Sequence, residues 1–219
     1  MIRAAKLAAT VLVLWGPALA AAPARAAIVE AIVKDDKGKP IEDAVVYMVP
    51  ASVPARGAPT ATMDQVQQEF VPHVLPVEVG TAVRFPNKDN IRHHVYSFSA
   101  SKKFELPLYI GTPSTPVVFD KPGVVVLGCN IHDWMVAYVF VLPHTLFAKT
   151  GADGRARIEN APAGGHEVRV WHPRLREATE KTGQRLTLAA GAAEASFVVG
   201  LKREWRVQRP AGTRYQNPP

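Results

Sequence analysis

The chain has 219 residues, 47% of them hydrophobic, and 26 Lys and Arg against 19 Asp and Glu give a formal charge of +7 at neutral pH. That length and composition allow one or two domains with apolar cores and exclude a disordered or collagen-like polymer. A single cysteine excludes any disulfide within the chain, and no interleaving of basic and aromatic residues argues for nucleic acid as a partner.

Arg3 and Lys6 precede an uncharged apolar stretch, Leu7 to Ala20, and two small-x-small cleavage candidates follow, Ala18-Leu19-Ala20 and Ala24-Arg25-Ala26. The pattern is that of a secretory signal peptide over residues 1–26, too short to read as a membrane span. A retained N-terminal anchor is the alternative. Loss of Arg3, Lys6 and Arg25 lowers the formal charge from +7 to +4. The expected location is the periplasm, and no later stretch is long and apolar enough for a span.

From Ala27 the chain is strand-like, with β-branched runs divided by Gly, Pro, Asn and Asp. Ala27–Lys34 is a strand ended by Asp35-Asp36-Lys37-Gly38, and Ala44–Val49 is expected to return as its partner. Pro50–Thr60, rich in proline and small residues, reads as a linker. Met63–Phe70 supplies a further short strand, and His73–Phe85 a strand–turn–strand around Gly80-Thr81. His93–Phe98 is a strand followed by a polar loop. Val117–Phe119 leads through a turn to Val124–Leu127, and Val136–Leu142 is equally apolar. Phe147–Thr150 and Ala156–Ile158 flank Asp153-Gly154, a hairpin signal. His166–Trp171, Leu186–Leu188 and Ala195–Leu201 complete the set. The best helix candidate, Leu175–Thr182, has weak apolar periodicity. The expected class is all-β, and the tail from Lys202, where Arg203, Arg206, Arg209 and Arg214 meet only Glu204, reads as a solvated basic segment.

Between the two most apolar strands lies Gly128-Cys129-Asn130-Ile131-His132-Asp133-Trp134-Met135. It places the only cysteine, a histidine and a methionine within seven residues. A lone thiol in an oxidising compartment is exposed to oxidation unless something holds it, and a metal ligand role meets that need. A thiolate, imidazole and thioether together suit copper, and with one more imidazole they form the His2Cys set with a long axial Met that supports electron transfer. Asn87-Lys88-Asp89-Asn90-Ile91-Arg92-His93-His94 offers that imidazole. Adjacent strand residues point to opposite faces, so only one of His93 and His94 reaches the site. His73, His144, His166 and His172 have no partner spacing. Trp134 is either packing or part of an apolar patch where a redox partner docks.

Phe70-x-Pro72, Val77-x-Val79-Gly80-Thr81-x-Val83-x-Phe85-x-Asn87-x-Asp89 and His93, then Phe119-x-x-Pro122-Gly123 and Cys129-x-x-His132-x-x-Met135, resemble a cupredoxin (plastocyanin-like) domain over roughly residues 60–143. The two-residue gap between His132 and Met135 looks like the short ligand loop of amicyanins. The runs Arg92–Phe98 and Gly128–Met135 resemble exported proteins labelled methylamine utilization proteins. The flanks, Ala31-x-Val33, Gly38-Lys39-Pro40 and Asp43–Val46, with Thr150, Asp153–Arg155, Pro162–Gly164 and Val168–Val170, resemble carboxypeptidase-regulatory or transthyretin-like modules. The resemblance implies a Greek-key cupredoxin sandwich (60–143) inserted in a second Ig-like sandwich built from 27–59 and 144–201, with a tail at 202–219. Simple addition of Ala27–Val49 as edge strands to the cupredoxin is the alternative.

The resemblance also implies one copper per chain held by His93, Cys129, His132 and axial Met135, with His94, where the family commonly carries an asparagine, as an outer neighbour or alternative ligand. It implies a periplasmic one-electron carrier between transient redox partners, with amine oxidation as one setting. No Ser-His-Asp set, carboxylate pair or phosphate loop points to an enzyme. Copper delivery without redox cycling, and a metal-free envelope binding module, are the competing readings.

Overall fold

A computed structural model describes residues 26–49, 59–113, 115–189 and 191–203. The expected signal segment before Ala26, most of the expected linker and the expected tail beyond Arg203 lie outside the described residues. The described chain is all-β, its only helical element being a 3-10 turn at Thr179–Thr182. In chain order the strands are β1 (Ala27–Lys34), β2 (Val45–Val49), β3 (Thr60–Thr62), β4 (Asp64–Val66), β5 (Glu69–Val71), β6 (Val74–Glu78), β7 (Thr81–Arg84), β8 (His93–Ser99) and β9 (Lys102–Tyr109). They continue with β10 (Val117–Phe119), β11 (Gly123–Gly128), β12 (Val136–Leu142), β13 (Phe147–Lys149), β14 (Arg155–Ala161), β15 (Gly164–Trp171), β16 (Gln184–Leu188) and β17 (Gly191–Val198).

Strands from the two ends of the described chain come together. The sheets β14-β1-β17 and β13-β2-β15-β16 enclose one core. Val29, Val33, Met48, Ile158, Val168, Val170 and Phe197 are among its residues. Alternation in β1 is strict, with Ala27, Val29, Ala31 and Val33 buried and their neighbours half-exposed, as a half-buried strand requires. At Gly154, with φ +72°, an added Cβ would lie 2.5 Å from the carbonyl oxygen of Val33. Only glycine fits this close approach to β1.

The middle of the chain builds the second core, between the five-stranded sheet β6-β12-β11-β8-β9 and the sheet β10-β7-β3. Phe70, Val77, Phe85, Val95, Phe119, Leu127 and Val139 pack there, and so do Cys129 and Met135. Each fully buried Val, Leu or Phe contributes about 1.5–3 kcal/mol. A third cluster joins the two sandwiches: Val45 and Trp171 from one pack on Val74, Phe140 and Leu142 from the other. The Trp171 ring lies 4.8 Å from Phe140 and 6.1 Å from Tyr138.

Three local expectations are corrected. β2 does not pair with β1; it lies between β13 and β15 in the facing sheet. The turn at Asp35, whose carboxylate accepts the N–H groups of Lys37 and Lys39, closes only a single bridge, Lys34 to Pro40. Buried Ile41 then carries the chain across the core. The Asp153-Gly154 turn likewise joins β13 and β14 in different sheets, so it is a sheet-to-sheet corner and no hairpin. The Gly80-Thr81 turn joins β6 to β7, the strand–turn–strand expected there, with the two strands in different sheets. The polar stretch after β8 is the edge strand β9, whose exposed face removed the apolar signal.

Trp171→Ala is expected to lower stability by about 3 kcal/mol, the range for emptying a buried aromatic site. Denaturant unfolding measures it, and an unchanged midpoint would contradict the seam between the sandwiches.

Candidate metal centre

The loop from Cys129 to Met135 spans the ends of β11 and β12, which pair in register up to Gly128 opposite Val136. Fixed strand ends restrict so short a loop. Within it, Met135 N–H donates to the His132 carbonyl at 2.9 Å and Val136 N–H to the Trp134 carbonyl at 3.0 Å. At Gly128 an added Cβ would meet Tyr96 Cζ at 2.8 Å. The Tyr96 ring therefore closes over the backbone beside the thiol, and a side chain at position 128 would push it away.

His93 comes from the start of β8 and reaches the same place. Its Nδ1 lies 3.2 Å from His132 Nδ1, and Cys129 Sγ lies 3.8 Å from His132 Nδ1. One ligand atom from each of His93, Cys129 and His132 falls within 4.8 Å of the others. His93 and Cys129 are buried and His132 is half-buried. Met135 is buried in the same apolar core as Cys129. His94 is not in this cluster: its Nε2–H donates to Glu105 Oε1 at 2.8 Å, its ring lies against Tyr96, and its Nδ1 has no hydrogen-bond partner.

The proton on His93 is fixed by its surroundings. Nε2 faces the carboxylate oxygen Oδ2 of Asp89 at 2.7 Å, an acceptor, so Nε2 carries the hydrogen and the Nδ1 lone pair points to the thiol and to His132. Two imidazole nitrogens and a sulfur converging in a largely apolar pocket are the donors a soft transition metal takes, and they fit copper by chemistry and by number. Burial opposes ionisation of both Cys129 and His93, yet their mutual hydrogen bond reverses it. With N–H groups of His94, Ile131 and His132 also directed at the sulfur, the Cys129 thiol is lowered below its ordinary value. His93, bonded to Cys129 and Asp89, is raised above its own. Nearby, burial pushes the Tyr109 phenol up to about 12; its hydroxyl donates to the Phe85 carbonyl at 2.6 Å.

Several residues outside the donor set complete the site. Asp89, buried, accepts the N–H groups of Gln67 and Gln68 at 2.7 and 2.8 Å besides that of His93. Asn87 donates to the carbonyls of Ile91 and Tyr109 and accepts the N–H of Asp89. Trp134 stands 5.1 Å from the His132 ring and donates Nε1–H to the Gln68 carbonyl at 3.1 Å. With Asp133, Trp134 also lines a cleft of about 580 Å³ that includes His73, His172 and Arg174. His73 donates Nδ1–H to Val136 O, while His144 accepts from Leu146 N–H and His166 donates to Pro162 O; none of these three belongs to the cluster. In the sequence this support shows as the short spacing Asn87-x-Asp89 before His93 and as Trp134 within the ligand loop.

No family model matches the chain, and no curated protein matches it. Solved structures do. A copper-containing nitrite reductase from Thermus scotoductus SA-01 is 27% identical over 43% of this chain and 25% of its own, with a TM-score of 0.36. A purple cupredoxin from Nitrosopumilus maritimus is 26% identical over 37% of this chain and 99% of its own, TM-score 0.34. An amicyanin variant in its Cu(I) form is 22% identical over 44% of this chain and 98% of its own, TM-score 0.34. This chain thus spans only a quarter of the nitrite reductase.

In metal-free protein the thiolate absorbance of Cys129 is expected to develop at lower pH than that of a free thiol. His93→Ala, which removes the hydrogen-bond partner, should move the midpoint upward. An unchanged midpoint in His93→Ala would contradict the coupling.

Proposed function

We propose that this protein is a mononuclear copper protein that carries single electrons between redox partners. The observation that carries the reading is the convergence of His93 Nδ1, Cys129 Sγ and His132 Nδ1 within 4.8 Å at the end of an apolar core that also holds Met135. His93, Cys129 and His132 would be the equatorial ligands and Met135 the axial one, one copper per chain. Copper bound there supplies a one-electron couple.

The chain's own residues do the rest. The core keeps water from the sulfur, the hydrogen bond from Met135 N–H to the His132 carbonyl holds the backbone at His132, and the apolar surroundings limit rearrangement between oxidation states. His132 is half-buried and Ile131 beside it is 48% exposed. An incoming partner can therefore approach the imidazole edge over a small apolar surface, which suits a transient encounter. The reading assigns residues 60–143 as the copper unit and, from the basic and apolar N-terminal segment, export to the periplasm. Among the described residues no helix is long and apolar enough to cross a membrane. An amine-oxidising donor is the setting proposed from the short ligand loop.

Purified metal-free protein given one equivalent of Cu(II) is expected to develop intense visible absorption that is lost and regained on reduction and oxidation. Cys129→Ser should abolish it; colour surviving that change would remove the thiolate from the site. Tight Cu(I) binding without the absorption would favour copper delivery instead. Met135→Gln should retain copper and lower the potential, because an oxygen donor favours Cu(II); complete loss of copper would contradict an axial role.

A further inference from the structure

The Asp89 carboxylate is almost fully buried, at 4% side-chain exposure, against a His93 ring at 0%. A buried carboxylate is costly unless its lone pairs are filled. Here Oδ1 accepts Gln67 N–H at 2.7 Å, while Oδ2 accepts Gln68 N–H at 2.8 Å and His93 Nε2–H at 2.7 Å. Gln67 and Gln68 form the tight turn between β4 and β5, with φ of +53° and +59°, so both N–H groups point at one anion. The same turn presents the Gln68 carbonyl to Trp134 Nε1, and Trp134 lies against His132. A single hydrogen-bonded chain thus runs from His93 through Asp89 and the turn to the aromatic support of the second imidazole.

From this geometry we infer that Asp89 is a positioning residue of the metal centre that also sets its potential. It holds His93 with Nδ1 toward the thiol, and its charge makes that nitrogen a stronger donor, which favours the more highly charged Cu(II) over Cu(I). The inference rests on the copper reading above. Asp89→Asn conserves shape but removes the charge, and its amide cannot accept on both sides, so at least one of three N–H donors loses its partner. The loss of an outer carboxylate of this kind costs about 10–100-fold in metal affinity.

The test titrates Cu(II) and Cu(I) separately into wild-type and Asp89→Asn protein and records the reduction potential, with circular dichroism checking the fold. The expected result is at least about a tenfold drop in the Cu(II)-to-Cu(I) affinity ratio, a rise of ~59 mV for one electron. An unchanged ratio in folded Asp89→Asn protein overturns the inference while leaving the copper reading intact; absence of copper binding by the wild type overturns that reading itself. Should Asp89→Asn not fold, proton NMR of wild-type Cu(I) protein decides. A downfield, slowly exchanging His93 Nε2–H resonance supports the inference, and rapid exchange with solvent overturns it.

Discussion

A thiol and two imidazoles meet at the closed end of an apolar core, and the surrounding structure depends on keeping them there. Taken separately, each is a poor core residue: the imidazoles need hydrogen-bond partners and the thiol gains little by ionising away from water. Together they satisfy one another in part. Cys129 and His93 shift each other toward the charged forms, and the Nδ1 atoms of His93 and His132 face each other at 3.2 Å. The remaining polar demand falls on Asp89, itself met by the backbone of the Gln67-Gln68 turn.

The fold supplies the stiffness. β11 and β12 are paired along their length and fix both ends of the ligand loop, while β8 delivers His93 from the neighbouring position in the same sheet. The sandwich built from β1, β2 and β13–β17 is joined to this one by a third apolar cluster. It rests on the back of β6 and β12 through Trp171 and Val45, bringing together strands far apart in sequence. Its parallel β1–β17 pairing links the first described strand to the last.

Much of this is local and therefore legible in the sequence. Cys129, His132 and Met135 stand out because three sulfur and nitrogen donors fall within seven residues between two apolar strands. His93 and His94 could not be told apart by alternation: both are buried, and the β8–β9 register is irregular between His93 and Val95. Contact with Glu105, across the strand pair, separates them. Where β2 pairs and which sheet β13 and β14 enter depend on the whole sandwich, so strong turn signals at Asp35–Gly38 and Asp153-Gly154 suggested hairpins that do not form. Asp89 is the clearest case of information held at long range. Its partners include N–H groups some twenty residues upstream, and the spacing Asn87-x-Asp89 does not identify them.

Copper K-edge X-ray absorption of the reconstituted protein tests the central claim most directly. A coordination shell with one short sulfur bond and two imidazole nitrogens is expected in both oxidation states. A shell of light atoms without a sulfur ligand would contradict it.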